Sequence, residues 1–159
     1  MLLSKKGPIL LTNAAFTIVE LLIAMAIVAT LSAIAVPVVS THVTQAQNAT
    51  AVSDIRILEK DITTYVIENN AYPDSLSDIG RTGMQDPWGN PYQYLKITGA
   101  PGEQGKLRKD RFLVPVNTDY DLYSMGNDGD SKAPFTAKAS RDDIVRANNG
   151  GYVGIAEGF

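Results

Sequence analysis

The chain has 159 residues, 45% of them hydrophobic, with one histidine and no cysteine. Its 14 basic and 17 acidic side chains leave a net charge of −3, which provides no basic excess for binding nucleic acid; the composition also excludes disulfides and His- or Cys-based metal centres. This length has room for one membrane anchor and one small folded domain, not for two folded domains.

Residues Met1–Ala15 carry Lys5 and Lys6, no acid, and end in Thr12, Asn13, Ala14 and Ala15. An ordinary secretory signal places its small-residue cleavage site after the apolar region. Here those residues come before it, so residues 1–15 read as a leader whose removal between Ala15 and Phe16 keeps the apolar segment. Loss of Lys5 and Lys6 leaves 12 basic against 17 acidic groups, a net charge of −5.

Phe16–Val39 is apolar with one charge, Glu20. About two dozen helical residues suffice to cross a bilayer, so residues 16–40 are expected to span a membrane once. The lysines before the span keep that end cytoplasmic and place the rest of the chain in the periplasm or outside the cell. An isolated carboxylate within a span is costly and ordinarily has a partner. A buried Glu–ammonium pair specifies register more than it adds stability; alternatively, Glu20 belongs to a plain anchor and snorkels to the headgroups. Pro37 interrupts the segment late and is expected to kink or loosen the helix.

From residue 41 to 70 the helix is expected to continue as an amphipathic element. Val43, Ala46, Ala49 or Thr50, Val52, Ile55, Leu58 or Glu59, Ile62 and Val66 recur at helical spacing and form a face suited to covering a sheet. His42 reads as a solvent-exposed helix residue. Asn69 and Asn70, followed by Tyr72-Pro73-Asp74-Ser75, should stop the helix.

The remainder, 71–159, reads as a small globular α+β domain. Ser75–Asp86 suggests a short helical turn and a loop, and Asp86-Pro87-Trp88-Gly89-Asn90-Pro91-Tyr92 a constrained turn in which Trp88 is a core anchor. Tyr92–Ile97, Phe112–Val116 and Tyr120–Ser124 carry strand signals of a small antiparallel sheet, with Pro115 demoting its strand to an edge. The loop Gly99–Arg111, which includes Lys106, Arg108, Lys109 and Arg111, reads as a solvated basic hairpin tip or as a contact for acidic faces of adjacent subunits. Whether Tyr152–Ile155 adds a strand is open.

Asp128, Asp130, Asp142 and Asp143 crowd the loops of the C-terminal third. Oxygen ligands without His or Cys suit Ca²⁺, but the spacing does not match an EF-hand. Ordinary turn-forming aspartates are the alternative.

Two sets of motifs carry a family resemblance. AFTIVELLIAMAIVATLSAIAVP is similar to the class III signal of type IV prepilins and type II secretion pseudopilins, with Ala15 where that family has Gly. The resemblance implies cleavage by a prepilin peptidase between Ala15 and Phe16, N-methylation of Phe16, pairing of Glu20 with a neighbouring subunit's N-terminal ammonium, and a helix segment at Pro37 that can melt in the filament. DPWGNPYQY, YDLYSMGNDGD and the later DDI resemble the major pseudopilins of type II secretion systems. That similarity implies a Ca²⁺ site using Asp128, Asp143 and the Met125 carbonyl, with Asp130 and Asp142 as further candidate ligands.

The chain lacks a cysteine nucleophile, a Gly-x-Ser-x-Gly elbow, a phosphate-binding loop and a second histidine, which argues against an enzyme. Paired aspartates can hydrolyse glycosides, but nothing arranges these around an aromatic cleft. The expected role is a structural subunit that homopolymerises into a periplasmic pseudopilus, with minor pseudopilins, an inner-membrane assembly platform, the prepilin peptidase and membrane lipid as partners. The alternative is a major or minor type IV pilin of a surface filament for adhesion or motility.

Overall fold

The computed structural model describes residues 16–99 and 105–159. The expected leader with Ala15, and residues 100–104 of the basic loop, lie outside these. The chain divides into two compact units, Met1–Thr41 and His42–Phe159. One helix, α1, Ile18–Asn69, contributes to both.

Within the first unit every described residue is exposed, including Ile18, Leu22, Met25, Leu31 and Ile34. The helix is continuous through Pro37. A proline removes one N–H from a ladder of many, and the hydroxyl of Thr41 donates to the Pro37 carbonyl at 3.0 Å. By length and composition this helix can cross a membrane.

In the second unit α1 buries Ala51, Ile55, Leu58 and Ile62 completely. Their steps of four, three and four residues place them on one stripe. The face expected from the sequence began earlier, but Val43, Ala46, Ala49 and Thr50 are exposed. A sheet of four short strands is about 15–20 Å across, the length of about three helical turns. His42 is exposed, as read from the sequence. The helix stops where expected: the Asn70 amide closes onto the Val66 carbonyl with Asn70 in the left-handed region at φ 53°, a conformation asparagine tolerates.

Leu76–Ile79 forms a short 3₁₀ turn. The sheet follows, with strands β1, Gln93–Lys96, β2, Tyr120–Ser124, β3, Ile144–Ala147, and β4, Tyr152–Ile155. They lie in the order β1-β2-β3-β4, every neighbour antiparallel. The expected α+β class is therefore what forms. Side-chain alternation divides the sheet into two faces. Tyr120, Leu122 and Ile144 pack with Tyr92 against the α1 stripe, and Trp88 packs half-buried at that core. On the opposite face Val145 and Ala147 join Val116, Phe135 and Ala156, with Tyr123 and Tyr152 beside them.

Two strand expectations need correction. Phe112–Val116 is not a strand: Asp110 and Leu113 exchange backbone hydrogen bonds across a tight turn, leaving Phe112 fully exposed. Pro115 has no N–H for a ladder. The strand next to β2 is instead β3, in the segment read as an acidic loop, and Tyr152–Ile155 is its partner.

Candidate assembly helix and C-terminal loop clamp

The first turn of α1 begins with a reciprocal cap. The Thr17 amide and hydroxyl each donate to Glu20 Oε2 at 2.9 Å, and the Glu20 amide donates back to the Thr17 hydroxyl at 3.2 Å. Thr-x-x-Glu before an apolar run is the capping-box pattern. Between them Thr17 and Glu20 thus satisfy two N–H groups at the helix start that hydrocarbon would otherwise leave unpaired. This role was legible in the sequence but was missed.

In the second unit two loop motifs of the sequence interlock. Asp86 is buried; its Oδ1 accepts from the amides of Trp88 and Asn90, and its Oδ2 from the Ser124 hydroxyl. The Asn90 side chain donates to the Gly126 carbonyl at 2.9 Å. Gly126 sits at φ +63°, and a Cβ there would lie 2.5 Å from the Asp142 carbonyl oxygen, so glycine is required. The Tyr92 hydroxyl reaches Asp54 of α1 at 2.9 Å. DPWGNPY and YDLYSMG are therefore two halves of one turn assembly.

The four crowded aspartates occupy different positions. Asp142 Oδ2 accepts from the amides of Asn127 and Asp128, Asp128 Oδ1 from the amide of Asp130, and Asp130 Oδ1 from that of Ser131. Asp128 and Asp130 are exposed and Met125 is partly buried. Asp143 is fully buried. Among the described residues no three acidic or histidine side chains are gathered to hold a metal ion.

Asp143 meets a cation of the chain itself. Arg108, 3% exposed, donates through one terminal nitrogen to Asp143 Oδ2 at 2.6 Å. Its other terminal nitrogen donates to the Ser131 hydroxyl at 2.6 Å and the Lys132 carbonyl at 2.7 Å. Ser131 in turn donates to Asp143 Oδ2 at 2.5 Å. The guanidinium lies over Tyr123, 4.2 Å from the ring centre, with Phe135 at 5.1 Å. The Arg108 amide donates to the buried carboxylate of Asp121 at 2.8 Å. Burial pushes the Asp121 and Asp143 carboxyls above their ordinary value, against the opposing pull of these donors. The expectation that Arg108 lies on a solvated tip is thus corrected: the ring faces and oxygen acceptors around it make burial tolerable.

Residues 11–36 match the family model described as prokaryotic N-terminal methylation motif, which includes Phe16 and Glu20. Over 135 residues the chain is 31% identical to type II secretion system core protein G of Pseudomonas aeruginosa, covering 72% of this chain and 83% of that protein. It is 31% identical over 137 residues to the core protein G of Aeromonas hydrophila, covering 73% and 84%, and 29% over 136 residues to that of Escherichia coli, covering 72% and 82%. The chain belongs to the type II secretion core protein G family, the major pseudopilins.

In this pseudopilin a second buried arginine ties helix to sheet. Arg146, on β3 and 4% exposed, pairs with Glu59 of α1 at 2.7 Å and with Asp119 at 2.7 Å, and its guanidinium lies 3.9 Å from the Tyr120 ring centre. Burial works against its charge, but Asp119, Tyr120 and Glu59 hold its pKa above the ordinary value. The helical spacing in the sequence marks Glu59 only as an alternative to Leu58 on the helix face. Neither buried arginine was marked by spacing, because each finds its acids far away in the chain.

Proposed function

We propose that this pseudopilin is a non-catalytic structural subunit that polymerises into the periplasmic pseudopilus of a type II secretion system. The observation that carries this reading is the first unit of α1. Its apolar residues are exposed all around the helix, so only lipid or other helices can cover them; at about 25 cal/mol per Å² of apolar surface buried, both are favourable. Before assembly the segment lies in the inner membrane, with the leader end cytoplasmic and the second unit periplasmic. Ala24 and Ala29 lie in a shallow apolar depression with Leu21, Met25 and Val28, and small residues let helices approach closely. Similarity extends far beyond the methylation motif, which favours the secretion pseudopilus over a type IV pilus.

On this reading a prepilin peptidase cuts between Ala15 and Phe16, Phe16 is N-methylated, and Glu20 accepts a neighbour's terminal ammonium as well as capping its own helix. Minor pseudopilins and an inner-membrane assembly platform complete the partners. Variants separate the two roles of Glu20. Glu20→Gln keeps a side-chain acceptor for the cap and loses the charge, whereas Thr17→Ala loses the reciprocal cap, worth about 0.5–2 kcal/mol, and keeps the charge. Both should insert in the membrane, but only Thr17→Ala should still yield filaments recoverable by sedimentation. Normal filaments from Glu20→Gln would refute the charge pairing.

A further inference from the structure

Arg108 joins two segments of the C-terminal loops. Three oxygens from two separate segments, the Ser131 hydroxyl, the Lys132 carbonyl and the Asp143 carboxylate, converge on its two terminal nitrogens. This is the kind of oxygen set, one carboxylate with a hydroxyl and a carbonyl, that a hard cation gathers from flexible loops. The segments it joins are also joined to one another. The Ser140 hydroxyl accepts from the Lys132 amide and donates to the Lys132 carbonyl, and the Asp143 carbonyl accepts the amide of Ala156 beyond β4.

The residues expected to bind Ca²⁺ do not fit a divalent ion in this arrangement. Asp143 is already neutralised by a guanidinium at 2.6 Å, and Asp142, Asp128 and Asp130 have oxygens engaged by backbone amides. Among the described residues, the buried side-chain atoms without a hydrogen-bond partner are one donor, Arg108 Nε, and one acceptor, Asp143 Oδ1. That remainder is balanced. An added double charge beside Asp143 would meet the positive guanidinium at low dielectric.

We propose that Arg108 serves as the built-in structural cation of the C-terminal loops, so that the second unit closes without bound Ca²⁺. The proposal does not depend on whether the chain polymerises. A lysine would not substitute, because only a planar fork reaches acceptors on separate segments while stacking on Tyr123.

The test is thermal unfolding of the full chain in detergent micelles, followed by circular dichroism, with Ca²⁺, with Mg²⁺ and with a chelator. A Ca²⁺ site at a hundredfold excess over its Kd would raise the midpoint by about 5–10 °C in a chain of this size. The expected change is below about 1 °C, and a Ca²⁺-specific rise would overturn the proposal. Arg108→Gln leaves Asp143 buried and unpaired, so its midpoint should fall by about 10 °C or more, or its cooperative transition should vanish. Adding Asp143→Asn to that variant should recover part of the loss. A wild-type midpoint in Arg108→Gln, or no recovery in the double variant, would overturn the assignment.

Discussion

Two arginines carry much of this domain's specificity. Arg146 satisfies Glu59 and Asp119 at once and stacks on Tyr120, so it connects the helix, the β1–β2 connection and the sheet through a single side chain. Replacing it by Met keeps much of its volume but removes the one ion-pair partner of Asp119 among the described residues and leaves Glu59 with Arg56 alone. Breaking a buried pair in this way typically costs about 3–5 kcal/mol, and because Glu59 and Asp119 keep some solvent contact, with side chains 14% and 16% exposed, the lower end is expected. Urea unfolding of Arg146→Met measures it. If the ion cluster is the cause, adding Glu59→Gln should cost less in the Arg146→Met background than in the wild type.

At the scale of elements, the contact between α1 and the sheet rests on four fully buried residues over three helical turns. Leu58 lies inside that stripe, and its truncation to Ala would leave a cavity that the flanking strands can fill only in part. The expected loss is about 2–5 kcal/mol, seen as a lower urea midpoint with an unchanged slope. Ile57, by contrast, is 42% exposed; the same truncation there should change stability by about 0.5 kcal/mol or less. Equal effects at the two positions would mean that the helix is rotated relative to the sheet from the arrangement described.

At the scale of the whole molecule, the buried phenols shape the alkaline pH response. Burial pushes the hydroxyls of Tyr92, Tyr94 and Tyr120 well above the ordinary tyrosine value of 10.0. The folded chain therefore keeps protons that the unfolded chain releases above that pH, so stability falls as pH rises beyond about 10. Asp121 and Asp143 act in the same direction lower down: raised above 3.8 by burial, they favour the folded state most below that value and lose the contribution as pH rises through their folded pKa. Thermal midpoints followed together with tyrosinate absorbance should show tyrosinate from these residues appearing with unfolding. Titration of all seven tyrosines near pH 10 in a still-folded chain would refute their burial.

How much of this was legible beforehand depended on whether the signal was local. The apolar run with Glu20, the amphipathic continuation to Asn69, the strands at Gln93–Lys96 and Tyr120–Ser124 and the DPWGNPY turn were readable because periodicity, caps and turn residues act within a few positions. The capping box of Thr17 and Glu20 is equally local, but the carboxylate reads in the sequence only as half of an intersubunit pair or as a snorkelling anchor charge. Ile144–Ala147 was obscured by its acidic neighbours and by Arg146, a charged side chain in a central strand that is acceptable only because Glu59 and Asp119 meet it.

The sequence by itself determined the membrane-length helix and the α+β class, since composition and spacing carry these without reference to distant residues, and its short contiguous motifs carried the resemblance to the family and its processing signal. Only the tertiary structure decided which strand neighbours β2, which turns of α1 are covered, and which of the crowded aspartates lies buried. It also decided that the positive charge facing Asp143 comes from Arg108. Ion pairs and strand neighbours join residues far apart in the chain, here 35 positions from Arg108 to Asp143 and 87 from Glu59 to Arg146. No local pattern encodes such a pairing, because its energy arises only when the fold has brought the two groups together and removed the water between them.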